Sequence, residues 1–131
     1  SDGYIRLDVP GGWPGDKVNQ FEPSGRTAVQ NEAWTFIQTL LKWRKGNEVI
    51  AKGKMKHFML NKGVYVYERS LNGKRVMVLM NGSSKAVELS LDRYAESLQG
   101  TAQGKDILTG RTVALGTSLS MKAKEILVLE L

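Results

Sequence analysis

The spacing of apolar and polar residues changes twice along the chain. Up to Arg26 no apolar run keeps the period of a helix or a strand, because Pro10, Pro14, Pro23 and the glycines among them interrupt every candidate. Residues 1–26 are therefore expected to be loop. Within them, Asp8 to Phe21 reads DVPGGWPGDKVNQF, where three glycines and two prolines surround Trp13. That composition is too stiff for a flexible linker and too irregular for a regular element.

From Thr27 the pattern turns helical. Thr27 followed by Gln30 has the spacing of a capping box, no Gly or Pro occurs before Lys45, and Gly46 stands where a helix would end. At about 100° per residue, Val29, Ala33, Trp34, Phe36, Ile37, Leu40, Leu41 and Trp43 spread over roughly half the helix circumference, interrupted by Gln30 and Arg44. A surface helix needs a narrower stripe, so this one is expected to lie between two bodies. Only one follows in the chain.

After Lys54 the period is that of strands. KMKHFML, GVYVYERS, KRVMVLMNG, AVELS, KDILTG, RTVAL, TSLSM and EILVLEL are short runs separated by turn residues, and Leu71-Asn72-Gly73-Lys74 has the chemistry of a tight hairpin. LDRYAESL, residues 91–98, is expected to be a short helical turn. The fold class predicted is mainly β: an antiparallel Greek-key β-sandwich preceded by an irregular loop and one long α-helix. Val76, Val78 and Met80 oppose Met77 and Leu79, and Ile126 and Val128 oppose Leu127, Leu129 and Leu131, so these strands are apolar on both faces. Helix 28–45 is the expected cover for the second face.

Composition adds little chemistry. The chain of 131 residues, 41% hydrophobic, suits one soluble domain with an appendage. It has no apolar run long enough for a membrane span and no signal-like segment. Cysteine is absent, which excludes disulfides and thiolate chemistry. Ser1 rather than Met stands first, as expected of a fragment. The net charge of +6 is dispersed, with local density at Lys42, Arg44, Lys45 and at Lys52, Lys54, Lys56, which a solvated helix end and strand face explain, so no nucleic-acid partner is expected. The one histidine, His57, has no clustered ligands to make a metal site and no G-x-S-x-G elbow to serve. Asp2, Asp8 and Asp16 lie in the leading loop, whereas Glu68, Glu88, Glu125 and Glu130 are scattered through strands, where edges or solvent faces account for them. Asp2, Arg6 and Trp13 could together bind a sugar, the charged pair through hydroxyls and the ring through a pyranose face, or Asp2 and Arg6 could simply pair with each other.

DGYIRLDVPGGWPGD, GRTAVQNEAWTFIQTLLKWRKGNEVI, GVYVYER and GKDILTG resemble the C-terminal end of glycoside hydrolase family 13, in the neopullulanase and cyclomaltodextrinase branch of the alpha-amylases of Bacteroides type. The resemblance covers essentially the whole chain. It implies that residues 1–50 are the last βα loop and last helix of a TIM barrel and that residues 51–131 are the C-terminal sandwich. It also implies that Asp2 and Arg6, with the family's four-residue spacing, contact glucose in the minus subsites; Trp13 is a third candidate, either a substrate contact or a residue that pins the loop against the barrel. The family's catalytic carboxylates and calcium sites lie upstream, so no catalytic residue, metal or cofactor is expected here, and the isolated chain is expected to be inactive. The parent would act on α-glucans by the retaining two-carboxylate route, with the periplasm as the implied location. An autonomous carbohydrate-binding or protein-interaction sandwich is the alternative, with Tyr65 and Tyr67 as its aromatic pair. Exposure of helix 28–45 without the barrel predicts a homodimer or a lattice contact through it.

Overall fold

The computed structural model describes residues 3, 5 and 8–131. The chain divides into two compact units, residues 1–39 and 40–131, with the division inside a single long helix. In the first unit a 3-10 turn at Pro23–Gly25 leads into α1, Ala28–Gly46. The capping box forms reciprocally: the Thr27 amide donates to Gln30 Oε1 at 2.9 Å and the Gln30 amide to Thr27 Oγ1 at 3.3 Å. Arg26 fastens the loop beside this cap. Its guanidinium donates to the carbonyls of Gln20 and Phe21 and to Asn31 Oδ1, and lies 4.2 Å from the centre of the Trp34 ring.

No residue of α1 is fully buried. Leu40 and Trp43, in its last turns, are half-buried, whereas Val29, Ile37 and Leu41 are 74%, 52% and 56% exposed and Trp34 and Phe36 are also exposed. The double-width apolar surface is therefore real and only partly used.

The second unit opens with an element that the polarity pattern did not announce. After α1 ends at Gly46, Asn47 Oδ1 accepts from the amides of Val49 and Ile50 and starts a second helix, α2, Glu48–Lys52. Five residues are too few to display a period. Eight strands follow: β1 Lys54–His57, β2 Val64–Leu71, β3 Lys74–Asn81, β4 Val87–Ser90, β5 Gln103–Asp106, β6 Thr112–Ala114, β7 Ser118–Met121 and β8 Ile126–Glu130. All pairings are antiparallel, in a six-stranded sheet ordered β1-β2-β3-β8-β5-β6 and a two-stranded sheet β4-β7. The last strand thus lies between the third and fifth, as the crossovers of a Greek-key sandwich require. At the β2–β3 hairpin Asn72 and Gly73 have φ of 51° and 79°, the left-handed pair that a two-residue turn of type I′ demands.

Two apolar clusters sit on opposite faces of the large sheet. The first contains Val64, Val66, Met77, Leu79, Leu127 and Leu129, packed with Leu89, Leu119 and Met121 of the small sheet. The second contains Val76, Val78 and Val128 with Val49 of α2, flanked by Leu40 and Trp43 of α1 and by Ile50, Ile107 and Leu108. Burying each such side chain contributes about 1.5–3 kcal/mol. The second face is covered as its pattern required, but within this unit by the end of α1 together with α2 rather than by the long helix alone.

Two expectations need correction. KDILTG is strand only at Lys105 and Asp106, where β5 ends, and the next four residues turn around the Asp106 carboxylate. Glu68 is not on a solvent face. It follows Val64 and Val66 at strand spacing and is 5% exposed. The segment at 91–98 is helical as expected, a 3-10 turn Asp92–Tyr94 followed by α3, Ala95–Leu98. Tyr94 is fully buried with its ring edge-on to Phe58 at 4.9 Å, and burial pushes its phenol above the ordinary tyrosine range, an effect that Arg93 partly opposes.

Candidate functional site

The leading loop holds its own shape. Asp16 Oδ2 accepts from the Gly11 amide at 2.9 Å and the Trp13 amide at 3.2 Å, while the Asp16 amide donates to the Trp13 carbonyl at 3.2 Å. One carboxylate oxygen therefore ties down the turn that carries the tryptophan. The Gln20 amide closes the loop on the Pro10 carbonyl at 2.8 Å, and Asn19 Oδ1 accepts from the Phe21 amide. Gly11 is buried with φ of +135°, and a Cβ there would collide with Asn19, so both backbone and space require glycine.

The side chain at the tip of this turn is Trp13, 79% exposed. An apolar ring held at that exposure by a rigid backbone offers a flat surface to a ligand with an apolar face, and its indole N–H remains a donor. Of the three sequence-derived contacts, Trp13 is thus placed on the surface, whereas Asp2 and Arg6 lie outside the described residues. Asp8 is exposed. The role of Asp16 was not read from the sequence, where it stood only as one of three loop carboxylates. Its signal is position: an acidic residue three after the tryptophan and beside Gly15, suited to accepting amides in a glycine-rich turn.

The second unit holds two other polar constellations, both structural in geometry. Asp106, 1% exposed, accepts from the amides of Leu108 and Val128, each at 3.3 Å, and from the Thr109 hydroxyl at 2.6 Å, with Arg111 Nε at 4.0 Å. A groove of about 700 Å³ runs between the end of α1 and the β2–β3 hairpin, lined by Trp43, Asn47, Glu48, Lys74, Arg75 and Glu130. The Glu130 carboxylate is already engaged: Glu130 Oε1 accepts from Trp43 Nε1 at 2.6 Å and from Asn47 Nδ2 at 3.5 Å, which joins the helix end to β8. Glu48 forms an exposed pair with Lys52, one helical turn away. Their mutual hydrogen bond and charge hold the carboxyl below and the amine above the usual ranges. Such a solvated pair stabilises little.

Among the described residues no three His, Cys, Asp or Glu side chains cluster as metal ligands, and no helix is long and apolar enough to cross a membrane. His57 is exposed on β1. Tyr65 and Tyr67 do face each other at 6.0 Å, but both are half-buried and Tyr67 packs into the second apolar cluster. They do not form an open binding platform.

Residues 55–130 match the family described as Cyclo-malto-dextrinase C-terminal domain. The chain is similar to a cyclomaltodextrin glucanotransferase of Geobacillus stearothermophilus, 30% identical over 99 residues that take in 70% of this chain and 13% of that protein. Among solved structures it is similar to AmyP in complex with maltose, with TM-score 0.64 and 17% identity over 79% of this chain and 21% of AmyP. It is also similar to the trehalulose synthase MutB from Pseudomonas mesoacidophila MX-45, with TM-score 0.61 and 17% identity over 89% of this chain and 22% of MutB. At such identity the two structures speak for the fold alone. The chain spans only a small part of the length of each of these proteins.

Proposed function

Because the chain belongs to the cyclo-malto-dextrinase C-terminal domain family, the C-terminal region of glycoside hydrolase family 13 enzymes, we propose that it completes a longer α-glucan-acting enzyme. In that reading residues 1–50 close a catalytic barrel and residues 51–131 are the sandwich that buttresses it. The observation that carries the reading is the divided surface of α1. Leu40 and Trp43 pack into the second cluster of the sandwich unit, while Trp34, Ile37 and Leu41, about 60–120° round the helix from Leu40, are exposed. An amphipathic helix with a second apolar side uncovered calls for a second body, and the barrel supplies it. Detached from the barrel, the same side pairs with a second copy of the chain.

The leading loop then faces the substrate. Trp13 offers its ring to a glucosyl unit, and Asp2 and Arg6 bond its hydroxyls, as the family spacing implies. The cleavage chemistry belongs to carboxylates outside this chain. Assays of the 131-residue chain and of a longer protein containing it, on starch, pullulan and cyclodextrins, test this. Release of reducing ends is expected from the longer protein alone. Hydrolysis by the short chain, or a longer protein inert on all three glucans, would contradict it.

A further inference from the structure

We infer that Asp16 is a positioning residue that presents Trp13 to a glucosyl ring, so that the stacking surface is preformed by this loop and does not depend on contacts from elsewhere. The inference rests on the reading of Trp13 as a substrate contact. It departs from that reading in assigning the presentation to one carboxylate.

Trp13 sits in a turn where Gly11, Gly12 and Gly15 all have positive φ, at +135°, +88° and +98°. Such a backbone has great freedom in the unfolded loop, and glycine on both sides of an exposed ring would ordinarily let that ring wander. Two amides in this turn, those of Gly11 and Trp13, converge on Asp16 Oδ2 at 2.9 and 3.2 Å. A carboxylate accepting two backbone N–H groups holds them more strongly than a neutral acceptor would. The return bond from the Asp16 amide to the Trp13 carbonyl closes a short ring of contacts around the tryptophan backbone. The base of the loop is fixed separately, by the Gln20 amide on the Pro10 carbonyl and by Arg26 on the Gln20 and Phe21 carbonyls. Among the described residues Asp16 is therefore the acidic group that fixes the tip, and its removal leaves the base tied.

The ligand class follows from what the tip offers. Trp13 contributes a flat apolar surface with a donor at its edge, which matches the alternating apolar face and hydroxyl rim of a pyranose. Ordering a mobile side chain on binding weakens affinity, and preorganisation removes that cost. Loss of the Asp16 carboxylate should therefore weaken glucan binding without removing the stacking ring.

Titration of the 131-residue chain with maltoheptaose, followed by the indole N–H signals of Trp13, Trp34 and Trp43, tests this. In the parent sequence the Trp13 signal alone is expected to move. Trp13→Ala should weaken binding about tenfold or more. Asp16→Ala should weaken it roughly three- to tenfold, with faster picosecond-to-nanosecond motion at the Trp13 amide. Asp16→Asn, whose amide oxygen can still accept from Gly11 and Trp13, should recover most of the loss. Rescue by asparagine separates positioning from a general loss of fold. Unchanged binding and unchanged Trp13 dynamics in Asp16→Ala overturn the positioning role while leaving the stacking role intact. No shift at Trp13 in the parent sequence, or unchanged binding in Trp13→Ala, overturns the stacking role itself.

Discussion

Replacing Asp106 with alanine is expected to destabilise the sandwich by about 3–5 kcal/mol. The carboxylate is 1% exposed and accepts from two backbone amides and one hydroxyl. One of those amides belongs to Val128 in the central strand β8, so the same side chain shapes the Ile107–Gly110 turn and binds it to the sheet. Its removal leaves buried donors without an acceptor, in a site that already excludes water, and opens a small cavity. With a urea dependence of about 2 kcal/mol/M, a loss of ~4 kcal/mol lowers the midpoint by roughly 2 M. Asp106→Asn keeps an acceptor for the amides and loses the charge beside Arg111, so it should cost only about 1–2 kcal/mol. Equal midpoints for Asp106→Ala and the parent sequence would show that the turn is held by its backbone alone.

Ile37→Asp should have opposite consequences in two settings. In the 131-residue chain Ile37 is 52% exposed on α1, and aspartate there should change stability by no more than about 0.5–1 kcal/mol, mainly through helix propensity. On the proposed reading, the same position in a longer enzyme is buried against the barrel. A carboxylate placed there without a partner should cost about 3 kcal/mol or more, or detach the sandwich. The test is thermal unfolding of both proteins with and without the substitution. Equal small losses in both would remove α1 from the interface.

Where periodicity is long and turn chemistry is specific, the fold was legible in the sequence. β2 and β3 follow from their short apolar runs and from Asn72-Gly73 between them, and α1 follows from the Thr27–Gln30 box, which forms in both directions. Elements set by one residue's hydrogen bonds were not legible. α2 depends on the Asn47 cap over five residues, and the end of β5 depends on Asp106 turning the chain back on itself. Glu68 was misplaced because a charged residue in an alternating strand was assigned to solvent, whereas strand parity puts it on the side of Val64 and Val66. At the candidate site Trp13 stood out through its glycines and prolines, whereas the bridge from Asp16 could not be read from a loop without a period. Asp2 and Arg6 came from family resemblance and lie outside the described residues.

Hydroxyl-radical footprinting of Ile37 and Leu41 tests the two-sided role of α1 most directly, comparing the 131-residue chain as a dilute monomer with the longer protein that contains it. Strong labelling in the short chain and protection of about tenfold or more in the longer protein are predicted, since these side chains are 52% and 56% exposed here. Equal labelling in both proteins would contradict the account, because the helix would then have no second neighbour.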